Sequence, residues 1–355
     1  MNALCEEAAL GLLEDQWGRV ANDLRLSLID KCNLRCTYCM PAEGLDWLGK
    51  NELLSASEAV RIADIGVRLL GIREVRFTGG EPLVRADLAN IIGDLRGLHP
   101  DLPMSITTNG IGLEKKIDTL VDAGLNRINV SLDTVCPETF AKITRRDRLP
   151  HVLRGLEAAA AAGIHPIKIN AVLMRGINDD QAGELLDWSL RHGFQLRFIE
   201  QMPLDADHEW TRSGMVTAGE VRERISEDFE LSPQSEPRGS APAELWDVRP
   251  LAAPGSGEKA DVLGQVGIIA SVTEPFCEAC SRTRVTADGK IRSCLFSHEE
   301  TDLMAALRDG SNDEQIADIW RAAMWAKPKA HGQTKVGLGT PGFVQPDRSM
   351  SAIGG

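Results

Sequence analysis

The 355-residue chain has no apolar run long enough to cross a membrane; its longest, such as GLEAAAAAGI, are short and alanine-rich. Nor does it open with the basic stretch of a secretory signal, since MNALCEEAALGLLEDQ carries acids instead. These absences lead us to expect a cytoplasmic protein. Positive charge is also in short supply, with 39 Lys plus Arg against 52 Asp plus Glu and a net charge of -13. Broad, non-specific nucleic-acid binding is therefore not expected, and an anionic ligand would need a local basic pocket. Internal repeats are absent, and cysteine is scarce.

What cysteine there is falls into groups. Six of the eight lie in KCNLRCTYCM (Cys32, Cys36, Cys39) and FCEACSRTRVTADGKIRSCLFSH (Cys277, Cys280, Cys294). Cys5 and Cys136 stand alone and read as incidental. In a reducing compartment such clusters point to metal ligands rather than disulfides.

Short β-branched or aromatic runs at 24–29, 73–78, 103–108, 126–132, 166–172 and 194–200 alternate with helical stretches, several closed by glycine. Six strands each followed by a helix imply a parallel sheet, either doubly wound or curled into a partial barrel. Strands buried on both faces would be almost wholly apolar. Here Leu24, Leu26 and Leu28 alternate with Arg25 and Ser27, Val75 and Phe77 with Arg76 and Thr78, and Ile106 with Ser105 and Thr107. Ile128, Val130 and Leu132 alternate with Asn129, Ser131 and Asp133, and Ile167 and Ile169 with Lys168 and Asn170. In a barrel whose helices cover the apolar face, the polar positions form the lumen. Arg25, Arg76 and Lys168 would make it attractive to an anion. An open sheet with one wet face is the alternative.

Beyond about residue 230 come Pro/Gly/Ser-rich connectors, the strand-like GQVGIIASV, the second cysteine group, helical stretches near 299–309 and 312–326, and a Gly/Pro-rich tail.

A structural zinc on the first cysteine group would want a fourth ligand nearby, but the next candidates are His99 and Cys136. Three thiols suit a [4Fe-4S] cluster with one iron left open. In the second group His298 follows Cys294 by four residues, so a Cys3His zinc knuckle and a second cluster fit the local spacing equally well. Arg282 and Arg284, two apart on a strand, face the same way and form an anion clamp beside that metal.

The first loop, with Tyr38 just before its last cysteine, and FTGGEPL at 77–83 resemble the radical S-adenosylmethionine (SAM) superfamily. With DLRLSLIDKCNLRCTYCMP, KNELLS, TTNG, DAGLNRINVSLD, GINDD, RFIEQM, the second cysteine group and the terminal IGG, the chain resembles, over nearly its whole length, the GTP 3′,8-cyclases of molybdenum cofactor biosynthesis. The resemblance implies an α/β fold: a partial (β/α)6 radical SAM barrel over 1–230, and a C-terminal extension over 231–328 carrying a second Fe-S cluster and a small sheet. An extended tail over 329–355 would follow, its Gly354 and Gly355 entering the active site.

It implies two [4Fe-4S] clusters, on Cys32, Cys36 and Cys39 and on Cys277, Cys280 and Cys294, the second binding guanine and leaving His298 a bystander. SAM contacts would come from Tyr38, Gly80, Ser131 and Met202. GTP contacts would come from Arg25, Arg76, Thr107, Lys168, Arg282, Thr283 and Arg284, with Arg25, Arg282 and Arg284 catalytic. The implied reaction is abstraction of H3′ from GTP by a 5′-deoxyadenosyl radical, then attack of C3′ on C8. Implied partners are GTP, an electron-donor protein, a second copy of the chain, and the downstream cyclic pyranopterin monophosphate synthase, with no nucleic acid or membrane. Two other classes compete: a peptide-modifying radical SAM enzyme with an auxiliary cluster, and a zinc-stabilised binding module.

Overall fold

The computed structural model describes residues 11–236, 238–251, 260–330, 338 and 343–354. Cys5, Gly355 and much of the tail lie outside them. A short ladder of β1 (Leu13–Glu14) and β2 (Val20–Ala21) leads into six strands, β3 (Asp23–Ser27), β4 (Glu74–Thr78), β5 (Met104–Thr108), β6 (Arg127–Ser131), β7 (Ile167–Val172) and β8 (Gln195–Ile199). These pair in chain order, all parallel, within one to two residues of the expected limits at most ends.

Their apolar positions, from Leu24 and Leu26 through Phe77, Ile106 and Ile128 to Ile169, join the helices in one continuous core. Burying one face of each strand under helices leaves the polar face pointing inward. The helices start and stop where local chemistry dictates. Helix Ala56–Leu70 begins at a capping box of Ser55 and Glu58 and ends at Gly71, whose φ of 73° is left-handed.

The expected small sheet of the extension takes the form of additions to both edges of the barrel. On one side β11 (Gly264–Ile269) pairs parallel to β8 and continues antiparallel through β10 (Glu244–Pro250) to β9 (Phe229–Pro233). On the other, β12 (Arg282–Val285) pairs parallel to β3, then β13 (Lys290–Arg292) and β14 (Thr301–Asp302) follow antiparallel. The helical stretch expected near 299–309 is shorter, Met304–Arg308, because β14 takes up its start.

The β3–β12 pairing decides the placement of the cysteines. Cys277 and Cys280 precede β12, whereas Cys32, Cys36 and Cys39 follow β3. Since the two strands run parallel side by side, the two groups sit at opposite ends of the barrel. No described helix is long and apolar enough to cross a membrane.

Candidate functional site in the barrel lumen

At the mouth, the first cysteine loop folds back on itself: the amides of Cys39 and Met40 both donate to the Cys36 carbonyl. Burial raises all three thiols, Cys32 to about 11, Cys39 to about 12 and Cys36 well above the usual range. Cys32 and Cys39 further oppose ionisation of Cys36, so the sulfurs share one space. Three thiols kept protonated in one loop are residue types that fit a cationic cluster able to take them as thiolates.

The Gly79–Gly80 turn lies against the backbone entering this loop. Gly80 N donates to Ile29 O at 2.7 Å and Glu81 N to Lys31 O at 2.8 Å. A Cβ on Gly80 would sit 2.2 Å from Asp30 O, so the approach requires glycine. Glu81, buried, accepts from the amides of Leu83 and Asn109 and from the Thr108 hydroxyl; burial nevertheless lifts its carboxyl to about 7. Asn109 Nδ2 in turn reaches Asn33 Oδ1 at 2.6 Å and Cys32 Sγ at 3.8 Å. Tyr38 donates to Asp133 across the mouth. Ser131 ends β6 half-buried, and Met202 packs on Met215 and Val272 while lining the cavity below.

That cavity, about 160 Å3, is lined by Arg25, Arg76, Arg197, Arg282 and Arg284. It is contiguous with a second of about 280 Å3, nearer the strand starts, which shares Arg25, Arg76 and Arg197 and adds Lys168. These six cations and the more exposed Arg127 crowd a space lined by two carboxylates, the half-buried Glu74 and the buried Asp23, which is bonded to Arg25 at 3.1 Å. Burial alone would raise Asp23, but Arg25, Arg76 and Arg282 hold it below its usual range. Burial and mutual repulsion pull Arg76 and Arg284 to about 9 and Lys168 to about 8. Guanidinium stays charged in proteins, so the arginine shifts express a shortage of negative charge.

The lumen also holds unmet hydrogen-bonding capacity. Arg76 Nε, Thr107 Oγ1, Asn170 Oδ1, Arg197 Nε and Arg282 Nη2 all belong to residues lining the first cavity, and all are buried without a partner. Buried polar atoms are rarely left this way, so the lining fits a polar, anionic ligand.

Cys277, Cys280 and Cys294 border the same cavity. Burial raises the Cys280 thiol, but Lys327 and Arg282 bring it down to about 7, and Lys327 Nζ lies 3.4 Å from its sulfur. Three thiols thus border one space with cations beside them to balance thiolate charge, residue types whose chemistry fits a cluster. His298 lines a different hollow, which it shares with Cys294 but not with Cys277 or Cys280.

The C-terminal tail returns to this lumen. Helix Met350–Ile353 packs at the mouth, Met350 N donating to Leu204 O. Ser27 Oγ donates to Ile353 O at 3.1 Å and Arg284 Nη1 to Gly354 O at 2.6 Å. Gly354 has a φ of 84°, and a Cβ there would lie 2.1 Å from Ser27 Oγ.

Thr283 differs in placement from the arginines that flank it. Thr283 lies between two lumen arginines, so strand alternation turns it outward; it is fully buried and accepts from Trp320 Nε1 at 2.9 Å. Only its backbone is left for the lumen. Asn129, Asp133 and Asn170, already lumen positions by the strand alternation, stand in the site together with Arg197 and Asn109, to which the sequence by itself gives no role. Arg197 has a sequence signal, since Gln195 and Arg197 alternate with Leu196 and Phe198, and it donates to Asn129 Oδ1.

Comparison with known proteins adds an independent line. Residues 26–189 match the family model of the radical SAM superfamily, and 194–333 that of Molybdenum Cofactor Synthesis C. A GTP 3′,8-cyclase of Paenarthrobacter nicotinovorans is 62% identical over 348 residues, covering 98% of each chain. One of Streptomyces coelicolor is 57% identical over 345 residues, 97% of this chain and 96% of that one. Among solved structures, SuiB of Streptococcus suis bound to S-adenosylmethionine superposes with a TM-score of 0.59 at 15% identity, over 90% of this chain and 67% of its own. That likeness concerns the fold alone.

Proposed function

The chain belongs to the GTP 3′,8-cyclase family of radical SAM enzymes, and from that premise we propose that its lumen encloses GTP between two [4Fe-4S] clusters. It is an enzyme that converts GTP to the 3′,8-cyclised nucleotide, the first step of molybdenum cofactor biosynthesis. Cys32, Cys36 and Cys39 would hold the first cluster, with Tyr38, Gly80, Ser131 and Met202 around SAM. Cys277, Cys280 and Cys294 would hold the second, facing the guanine. When bound, the first cluster and SAM would supply a carbon-centred radical to take H3′ of GTP; C3′ then bonds to C8 as the C8–N7 double bond opens, and one electron from the donor protein and one proton complete the product.

The chain's own residues aim and exclude. Arg76, Lys168 and Arg197 take triphosphate charge in the deeper part of the lumen, and Thr107 and Asn170 offer it hydrogen bonds. Arg25, Arg282 and Arg284, neighbours across the β3–β12 pair, take the catalytic positions, where a guanidinium stabilises developing charge. An enclosed lumen keeps water and stray hydrogen donors from the reacting atoms. The observation that carries this reading is the set of unpartnered buried atoms among these crowded cations. A peptide substrate would give no reason for it. The reading also implies a cytoplasmic setting, an electron-donor protein, pairing with a second copy of the chain, and hand-off of the product to a cyclic pyranopterin monophosphate synthase.

The test is anaerobic purification with iron, sulfide and zinc counted, for the wild type and for the variant with Cys277, Cys280 and Cys294 all changed to Ala. About eight irons falling to about four is expected, followed by GTP turnover with SAM and a reductant. About four irons plus one zinc in the wild type would remove the second cluster and favour the peptide-modifying alternative, as would a failure of GTP to protect the protein from proteolysis.

A further inference from the structure

Arg348 stands where the tail passes from the surface into the barrel. Val344 is 66% exposed, whereas Ser349, Ser351 and Ile353 are buried. Its guanidinium grips two carboxylates at once: Nη1 and Nη2 reach the Asp288 oxygens at 3.0 and 2.7 Å, and Nη2 and Nε reach the Glu300 oxygens at 2.9 and 2.7 Å. Such two-toothed pairing fixes direction as well as distance.

The partners matter because of what they carry. Asp288 sits in the turn joining β12, with Arg282 and Arg284, to β13. Glu300 also pairs with Arg292, which ends β13 two residues before Cys294. Six residues beyond Arg348, Gly354 O rests on Arg284 Nη1. The tail is therefore tied to the β12–β13 hairpin at both ends of its inward run, outside by Arg348 and inside by Arg284. The helix between them, Met350–Ile353, is a single turn, too short to hold itself in water.

We propose that Arg348 is a positioning residue for the cyclisation: its fork onto Asp288 and Glu300 sets how far the C-terminal residues reach into the lumen. This rests on the lumen being the substrate chamber, and it assigns Arg348 no contact with GTP or SAM. Without the fork the tail stays tethered by the chain but docks for a smaller fraction of the time, so turnover falls with the docked fraction while substrate binding persists.

The test uses the full-length, cluster-loaded protein under anaerobic conditions and reads two quantities. One is hydrogen exchange of the amides at 350–354: the Met350 amide bonds to Leu204 O on the barrel, and those of Ala352, Ile353 and Gly354 bond within a single turn too short to persist undocked. The other is steady-state turnover with GTP. Arg348→Ala is expected to lower kcat about tenfold or more, following the docked fraction, and to speed that exchange by a larger factor, following the undocked fraction, with KM for GTP and iron content within about twofold of wild type. Arg348→Lys keeps the charge, loses the fork, and should fall between. Asp288→Ala should repeat the effect, and the double variant should be no worse than Arg348→Ala. Unchanged exchange, faster exchange with unchanged kcat, or additive effects of the two variants would overturn the proposal. If Arg348→Ala fails to retain iron, Arg348→Lys decides, and normal exchange there would also overturn it. Should the wild type not cyclise GTP, the function reading fails, while the exchange arm still decides whether Arg348 sets tail docking.

Discussion

Tyr38, the single tyrosine of the chain, donates its hydroxyl to Asp133 Oδ2 at 2.8 Å, while Asp133 Oδ1 accepts from the Val172 amide at 2.8 Å. One carboxylate thereby ties the cysteine loop after β3 to the ends of β6 and β7. The phenol is half-buried and raised well above its usual range, first by desolvation and then by Asp133, so it stays a donor. Tyr38→Phe would leave Oδ2 without that donor. A stability loss of about 1–3 kcal/mol is expected, read as a lower thermal midpoint under anaerobic conditions; an unchanged midpoint would show that the bond contributes nothing.

Gly80→Ala should be far more damaging than its size suggests. Its Cβ would meet Asp30 O at 2.2 Å and Lys31 O at 2.5 Å, both backbone atoms of the segment feeding Cys32, which cannot move aside like a side chain. The loop must shift, so we expect reduced iron retention on the first site with the second site's iron kept. Equal loss from both would point to global unfolding instead.

Thr283→Val separates the two faces of β12. Removing the acceptor of Trp320 Nε1 should destabilise the fold by about 1–2 kcal/mol, yet leave kcat with GTP within about twofold because the side chain faces the core. A large fall in kcat at wild-type stability would mean that Thr283 serves the substrate through its side chain after all.

The pH dependence of GTP binding should trace to Lys168. Burial, then Arg197, Arg127 and Arg76, bring it from 10.5 to about 8. Its charged form attracts phosphate, so affinity should be highest below that value and fall as pH rises through it. The stability sign is opposite: holding the charged lysine costs the empty protein most below about pH 8, and the cost fades between there and 10.5. Lys168→Met should therefore flatten the affinity profile between about pH 7 and 9 and raise the thermal midpoint of the ligand-free protein at about pH 7. A profile as steep as that of the wild type would assign the titration to another group.

Much of the site is legible in the amino-acid sequence, and the reason is local. Arg25, Arg76, Thr107 and Lys168 stand out because a strand in a half-polar sheet repeats every two residues, a signal carried by immediate neighbours. The same rule, applied to Arg282-Thr283-Arg284, already separates Thr283 from its flanking arginines, and the fold keeps that separation. The roles of Asp133, placed in the lumen by the same alternation, and of Asn109 are harder to read, since each acts through a partner on another loop.

The sequence by itself carried the cysteine spacings, three thiols within one loop in the first group and two before and one after a hairpin in the second, and the alternation that builds a cationic lumen inside an acidic protein. Only the tertiary structure decided that β12 lies parallel to β3, which sends the two cysteine groups to opposite ends of one chamber. It alone decided that Ser27 meets Ile353 across 326 residues of chain and that Arg348 meets Asp288 and Glu300. Spacing and periodicity are fixed by bonds and rotations a few residues long, whereas strand neighbours and the path of a tail depend on which surfaces the whole chain must bury together.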